Sequence, residues 1–177
     1  MKLILPFLLK KVLFRKGLFK VLSTKTKICF LGLSSVGKSS LLGLLQGREI
    51  SKEVNPTVGL EIEDSKLNGK KVNIWDFGGQ ERFRFMWQDF LRGAGLTVLV
   101  CDSTEENIAK TKEIFDKFSR YMNTKIIAIA NKQDLPYALS AKKVQKKLGI
   151  TTYGMSAIRL DLRDRIREIL EYEIEED

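Results

Sequence analysis

The chain has 177 residues, 44% of them hydrophobic and 30% charged, which suits one globular domain and is short for two. It has no histidine, which excludes Ser-His-Asp triads and His-ligated metal sites, and its two cysteines, Cys29 and Cys101, lie in apolar runs that predict buried free thiols. The formal charge of +9 is concentrated in the first 27 residues, which hold eight cations and no acid, so no nucleic-acid partner is expected for the nearly neutral body.

Residues 1–25 are predicted to form a basic apolar extension, helical in part, ahead of a domain at 26–177. Leucines and phenylalanines alternate with lysines throughout residues 1–22. The longest charge-free run, residues 3–9, is too short to span a bilayer, which takes roughly 18 residues or more. The composition favours a segment that binds an anionic membrane surface. Permanent packing on the domain and binding to an acidic protein are the alternatives.

Beyond the extension, β-branched apolar runs alternate with segments of helical period, which predicts an α/β domain with a six-stranded, mostly parallel sheet and helices on both faces. Asn68-Gly69 tolerates positive φ and predicts a hairpin, so one strand pair should be antiparallel. Strands are predicted at residues 26–31, 60–67, 70–76, 97–102, 125–131 and 151–155. Helices are predicted at residues 38–46, 105–122, 140–148 and 159–173, with a less regular one at 82–92.

The first strand is followed by Gly32-x-x-x-x-Gly37-Lys38-Ser39 and then by a helical run, which is the context of the phosphate-binding P-loop and predicts a P-loop NTPase fold. Lys38 is expected to neutralise the β- and γ-phosphates, and Ser39 is expected to ligate Mg²⁺. The loop backbone and the helix N-terminus would face the phosphates. The further nucleotide-binding residues predicted in this segment are Gly32, Ser35, Val36, Gly37 and Ser40.

The tetrapeptide Asn131-Lys132-Gln133-Asp134 follows an apolar strand, at the sheet edge where open α/β folds bind ligands. Asp134 can accept hydrogen bonds from guanine N1–H and from its exocyclic amine, a pair that adenine lacks, so guanine is the predicted base. Asn131 and Lys132 belong to the same predicted site. Ser156 and Ala157 follow the last strand, where the Ala157 N–H is expected to contact the guanine oxygen.

Two further segments are predicted to surround the γ-phosphate. Asp76 ends a strand and is expected to hold Mg²⁺ through water, and the N–H of Gly79 is expected to reach the γ-phosphate. Gln80 would orient the attacking water, since phosphoryl transfer depends mainly on positioning and electrostatics. Thr57 lies in an earlier loop and would ligate Mg²⁺ only when γ-phosphate is present, so both segments are predicted switches. Gln80, Lys38 and Thr57 form the predicted catalytic group.

With these motifs, residues 26–173 resemble the Arf and Arf-like branch of the Ras superfamily of small GTPases. The resemblance rests on the segments PTVG (56–59), WDFGGQ (75–80), NKQDLP (131–136) and the FMWQDF region around Trp87. It implies a GTP/GDP and Mg²⁺ switch whose Asn68-Gly69 hairpin shifts register on activation. It also implies an N-terminal helix released with GTP, and an apolar effector surface formed by Leu60, Trp75 and Phe90. Leu60 stands where the branch commonly has Phe.

The leading hypothesis is a monomeric GTPase switch on the cytosolic face of a membrane, acting in trafficking. Hydrolysis is expected to be slow without an activating protein, because Arg82 and Arg84 are interpreted as solvated helix residues and no other arginine is a candidate. The alternative is a constitutively GTP-bound receptor subunit or scaffold with little turnover, which Gln80 and Thr57 disfavour. A P-loop kinase or ATPase is disfavoured by residues 131–134. The sequence names no exchange factor, activating protein or effector.

Overall fold

The computed structural model describes residues 25–48, 55–122 and 124–175, so the predicted extension lies outside it apart from residue 25. The strands are β1 (Thr26–Leu31), β2 (Leu60–Leu67), β3 (Lys70–Phe77), β4 (Leu96–Cys101), β5 (Lys125–Ala130) and β6 (Thr152–Gly154). The helices are α1 (Lys38–Gln46), α2 (Trp87–Phe90), α3 (Glu105–Phe118), α4 (Ala141–Leu148) and α5 (Arg163–Glu175). Three short 3₁₀ helices span Glu81–Met86, Ser119–Tyr121 and Leu160–Leu162.

The strands form one sheet in the order β2-β3-β1-β4-β5-β6. β2 pairs with β3 in antiparallel register, and every other neighbouring pair is parallel. The predicted fold class is therefore confirmed, including the single antiparallel pair. Parallel strands place their carboxyl ends along one edge, and this edge carries the loops that the sequence analysis singled out. In the described residues no helix has both the length and the apolar character needed to cross a bilayer.

The antiparallel pair is a tight hairpin, as predicted. Leu67 pairs with Lys70, and the two residues between them, Asn68 and Gly69, have φ values of 45° and 74°. Positive φ at both central residues is what a two-residue turn of the I′ type requires, and Asn and Gly tolerate it best.

The hairpin turn is tied to the carboxyl-terminal helix. The backbone N–H of Asn68 donates to Oε1 of Glu171, and its side-chain Nδ2 donates to Oε1 of Glu175, each at 2.8 Å. Arg167 on the same helix donates to the carbonyl of Lys66 at 3.3 Å. Three hydrogen bonds therefore hold the tip of the β2–β3 hairpin to α5.

Apolar side chains fill both faces of the sheet. One cluster joins the sheet to α1 and α5 through residues such as Leu41 and Ile166, and the other joins it to α2, α3 and α4. Trp87 is fully buried in the second cluster, with its ring 5.3 Å from that of Phe118 and 6.2 Å from that of Phe77. The core thus fixes the segment that leads from β3 to α2.

The two cysteines are buried free thiols, as the sequence predicted. Burial raises the pKa of Cys29 to about 12 and that of Cys101 to about 11. Because the thiolate is the reactive form, both groups behave as small apolar side chains.

Two helices have different limits from those predicted. The helix expected at 105–122 leaves α-geometry at Phe118 and continues as a 3₁₀ turn, in which the N–H of Met122 donates to the carbonyl of Ser119. The helix expected at 159–173 begins at Arg163, after another 3₁₀ turn. A 3₁₀ turn at a helix end satisfies terminal backbone hydrogen-bonding groups. It hardly changes the hydrophobic periodicity from which helix limits are predicted.

Candidate functional site

A cavity of about 300 Å³ opens at the carboxyl edge of the sheet. It lies between the loop that follows β1 and the loops that follow β5 and β6. The residues that line it are Ser34, Ser35, Gly37, Lys38, Ser39, Ser40, Pro56, Asn131, Lys132, Asp134, Leu135, Ala157 and Ile158. The fold therefore brings the predicted phosphate loop and the predicted base-reading loops to one cavity.

The loop after β1 needs glycine where it approaches the loop after β5. Gly37 precedes α1 with a φ of 92°, and a Cβ there would lie 2.3 Å from Nδ2 of Asn131. Asn131 is 1% exposed; its Nδ2 donates to the carbonyl of Val36 at 2.8 Å, and its Oδ1 accepts from the N–H of Ala157 at 3.0 Å. One buried amide thus connects three loops, which gives Asn131 a structural role beside its predicted place in the site.

Lys38 is the buried cation of the phosphate loop, with 6% of its surface exposed. Its Nζ donates to the carbonyls of Leu33 at 2.9 Å and Gly32 at 3.2 Å. Burial lowers its pKa to about 8; the Asp76 carboxylate opposes this change, and the positive charge of Arg84 adds to it. Carbonyl dipoles compensate a buried ammonium only in part, so an anion such as phosphate suits this position.

Three side-chain oxygens meet beside Lys38. Ser39 Oγ donates to Asp76 Oδ2 at 2.5 Å, and Thr57 Oγ1 lies 3.0 Å from Ser39 Oγ and 3.4 Å from the same carboxylate oxygen. Asp76 Oδ1 is buried without a hydrogen-bond partner among the described residues. Burial raises the pKa of this carboxyl, and the hydrogen bond from Ser39 acts in the opposite direction. Hydroxyl and carboxylate oxygens are hard donors that suit Mg²⁺, so these residues fit the predicted metal.

The loop after β5 presents Asp134 at the mouth of the cavity. Its carboxylate is exposed and accepts a hydrogen bond from the buried Ser156 hydroxyl, which limits its rotation. Lys132 adopts a φ of 60° and lines the same wall. The N–H of Ala157 was expected to face the base, but in this structure it donates to Asn131.

Several supporting residues were missed by the sequence analysis. Ser103 is buried after β4; its Oγ donates to the carbonyl of Asn131 at 2.6 Å and accepts from Nε2 of Gln133 at 2.8 Å. Leu135 and Ile158 add apolar surface to the cavity. Only the position of Ser103 just beyond a buried strand could have suggested its role.

The segment after β3 lies against the phosphate loop. A Cβ on Gly79 would be 2.4 Å from the backbone carbon of Leu33, so this close approach requires glycine. The N–H of Gly78 donates to the carbonyl of Gly59 at 2.8 Å, which joins the two predicted switch segments. Gln80 is half-buried, does not line the cavity and makes no side-chain hydrogen bond to the described residues.

The interpretation of both arginines in this segment as solvated holds for Arg82 and is wrong for Arg84. Arg82 is exposed and lies over the ring of Phe83 at 4.8 Å. Arg84 is half-buried; its Nε is buried without a partner among the described residues, and its Cζ lies 5.8 Å from the ring centre of Trp87. The fully buried Trp87 draws this guanidinium inward, which a helical pattern does not reveal.

The predicted effector surface is only partly accessible in this conformation. Trp75 is 6% exposed because Nζ of Lys27 lies 3.6 Å above its ring and donates to the carbonyls of Phe90 at 2.6 Å and Arg92 at 3.0 Å. Phe90 contacts the Trp75 ring edge-on and, like Leu60, is half-buried. A cation–π contact therefore covers the tryptophan that was expected to face effectors.

Comparison with known proteins places these residues in a family context. The sequence model of the ADP-ribosylation factor family matches residues 13–172 of this chain. This range includes every site residue named above and begins within the predicted extension. ADP-ribosylation factor-like protein alp41 of Schizosaccharomyces pombe is 30% identical over 145 residues, covering 80% of this chain and 77% of that protein. ADP-ribosylation factor-like protein 2 of Drosophila melanogaster is 31% identical over 144 residues, covering 75% of this chain and 78% of that protein.

Proposed function

Since the chain belongs to the ADP-ribosylation factor family, we propose that it alternates between GDP- and GTP-bound states and hydrolyses GTP slowly until an activating protein accelerates the reaction. The observation that carries this proposal is the cavity at the carboxyl edge of the sheet, which is lined by Lys38, Ser39 and Asp134, with Asp76 hydrogen-bonded to Ser39. Few ligands other than a guanine nucleotide with Mg²⁺ match all three features.

Each group has a defined part in this proposal. Lys38 and the loop backbone would bind the phosphates, while Ser39, Thr57 and Asp76 would hold Mg²⁺. When bound, Mg²⁺ neutralises the charge that develops on the phosphates. Gln80 orients the attacking water after a movement that brings its side chain to the cavity. Because catalysis here depends mainly on positioning, the rate of GTP hydrolysis depends on how well ordered the two switch segments are.

Replacing Gln80 by leucine tests the hydrolytic part of the proposal. We expect single-turnover GTP hydrolysis to slow by about 100-fold, since a misplaced attacking group costs about that factor. The affinities for GDP and for a non-hydrolysable GTP analogue should change less than about twofold, because no binding contact is removed. Gln88→Leu on the exposed side of α2 is the matched control. Equal rates for the two variants would refute the assigned role, and undetectable hydrolysis by the unmodified chain, with GTP retained in cell extract, would support a constitutively loaded module.

We further propose that residues 1–22 attach the protein to the cytosolic face of a membrane when GTP is bound, and that the monomer then recruits effectors in trafficking. The support is the basic apolar composition of this segment and the family context.

Liposome flotation tests the membrane proposal. The full chain and a form lacking residues 1–22 are loaded with GDP or with the GTP analogue and mixed with vesicles containing anionic lipid. We expect only the full chain to float, and mainly with the analogue. Equal flotation with either nucleotide would contradict nucleotide-controlled release of the segment. Loss of binding to neutral vesicles would show that the positive charge of the segment contributes to binding.

A further inference from the structure

The parallel strands begin at the edge of the sheet that lies opposite the cavity described above, and we call this the amino edge. Residue 25, which joins the basic extension to the domain, precedes β1 at this edge. Nζ of Lys27 donates to the carbonyl of Arg92 at 3.0 Å, and the N–H of Gly95 donates to the carbonyl of Lys27 at 2.8 Å. The start of β1 is therefore packed against the segment that leads into β4.

A second cavity, of about 360 Å³, lies at the amino edge between the segment before β4 and the 3₁₀ helix before β5. The residues that line it are Leu91, Arg92, Gly93, Ala94, Arg120 and Tyr121, and no acid of the described chain is among them. Both arginines are exposed, and Cζ of Arg120 lies 4.9 Å from the ring centre of Tyr121. Neither guanidinium has a hydrogen bond or an ion pair within residues 25–48, 55–122 and 124–175. This cavity thus has two positive charges without a counter-charge.

A third cavity, of about 280 Å³, gives the amino edge further positive charge. The residues that line it are Lys25, Asp64, Ser65, Lys66 and Lys71. Asp64 uses both carboxylate oxygens, because Oδ2 accepts from Lys25 at 2.8 Å and Oδ1 accepts from Nδ2 of Asn73. Lys66 and Lys71 are directly opposite each other in the β2–β3 register, an arrangement in which like charges repel. Two cavities at one edge therefore favour a bound anion.

The connection to the extension indicates where this anion is found. Residue 22 is five residues before Lys27, and an extended chain spans at most about 3.6 Å per residue. Lys27 therefore lies within about 18 Å of the segment that is proposed to bind an anionic membrane, and Lys27 itself is hydrogen-bonded to Arg92. Lipid headgroups at that membrane are within reach of the arginine cavity.

We propose that the cavity lined by Arg92 and Arg120 binds the phosphate monoester of a lipid headgroup, so that the amino edge is a second membrane contact. The inference rests on the proposed membrane attachment of residues 1–22 and adds a site on the folded domain. A phosphate monoester carries a charge of about −1.5 to −2 at pH 7, which matches two guanidinium groups, whereas a diester carries about −1. Guanidinium groups also donate paired hydrogen bonds to phosphate oxygens.

Vesicle flotation of the full chain, loaded with the non-hydrolysable GTP analogue, tests this site. The vesicles are phosphatidylcholine with either phosphatidylinositol 4-phosphate or phosphatidylserine, at equal surface charge. The joint change Arg92→Gln and Arg120→Gln should weaken binding by about 30-fold with the phosphomonoester lipid and by about fivefold with phosphatidylserine, since each matched cation contributes about a factor of five. Changing both arginines to lysine should keep phosphatidylserine binding and lose part of the phosphomonoester preference.

The control has the same loss of charge at the opposite edge. Lys142→Gln and Lys143→Gln change two exposed lysines in the first turn of α4, and binding to either vesicle should stay within about twofold, because salt screens distant charges. An equal loss for the control and the arginine variant would show only the effect of net charge and would overturn the proposal. So would equal losses of the arginine variant on the two vesicles. No loss at all would also overturn it, and would leave the cavity to an acidic protein partner.

Further measurements separate the sources of phosphate and the two proposals. Isothermal titration of the nucleotide-loaded chain with inorganic phosphate should show no saturable binding below about 1 mM, and tighter binding would overturn the assignment to lipid. The arginine variant should keep the melting temperature and nucleotide affinity of the unmodified chain, because both side chains are exposed and lie away from the first cavity. If the unmodified chain floats and the variant floats equally, only this site is refuted. If the unmodified chain does not float, the membrane proposal is wrong as well.

Discussion

Replacing Asp134 by alanine should lower the affinity for GTP and GDP by about 100- to 10,000-fold and remove most of the preference for guanine over adenine nucleotides. The Asp134 carboxylate stands at the mouth of the cavity and is held by the Ser156 hydroxyl. Guanine offers it two N–H donors, and each hydrogen bond to a charged acceptor is worth about 1.5–3 kcal/mol. Adenine presents no such pair, so ATP binding should hardly change.

Competition binding against a fluorescent guanine nucleotide measures this effect. Asp116→Ala is a suitable control, because Asp116 is an exposed aspartate on α3 that pairs with Lys112 away from the cavity. If Asp134→Ala kept its discrimination against ATP, the base-reading role of this loop would have to be abandoned.

Replacing Lys38 by methionine should reduce the affinity for both nucleotides by about 100- to 1,000-fold. The ammonium is buried beneath the phosphate loop, where it now donates to two backbone carbonyls. A phosphate would provide full negative charges in their place, and a charge-assisted hydrogen bond is roughly twice as strong as a neutral one. Methionine has a similar length and keeps the packing of the apolar stem, so the loss of nucleotide affinity measures the contribution of the ammonium charge.

Isothermal titration with GDP and the GTP analogue measures the loss for Lys38→Met. Lys143→Met is the control, since Lys143 is exposed on α4. Circular dichroism should show the same secondary structure for both variants. Nucleotide binding by Lys38→Met within about threefold of the unmodified chain would contradict the assignment of the phosphate loop.

The features that the sequence predicted correctly are those determined locally. Asn68-Gly69 adopts positive φ because few other residue pairs form a two-residue hairpin turn. The mostly parallel sheet followed from apolar strands that alternate with helices. Each of these inferences depends on residues close together in the chain.

The features that the sequence did not predict depend on contacts between distant segments. Trp75 is covered because Lys27 of a neighbouring strand reaches over its ring. Arg84 is drawn inward by Trp87, and the Ala157 N–H is used by an amide 26 residues away. Neither hydrophobic periodicity nor a local motif contains information about such contacts, so the exposure expected for Trp75 and Arg84 differs from that in the structure.

The attachment of the hairpin to α5 has a mechanical consequence. β3 is a continuous strand with Asn68 beyond one end and Asp76 near the other, so it links the carboxyl-terminal helix to the oxygens around Asp76. A slide of the hairpin by two residues keeps the buried faces but moves its tip by roughly 6–7 Å. That slide would break the three hydrogen bonds to α5, at a cost of about 2–4 kcal/mol. The three hydrogen bonds would therefore oppose such a slide, and shortening α5 should lower its free-energy cost and change the position of Asp76 at the other end of β3.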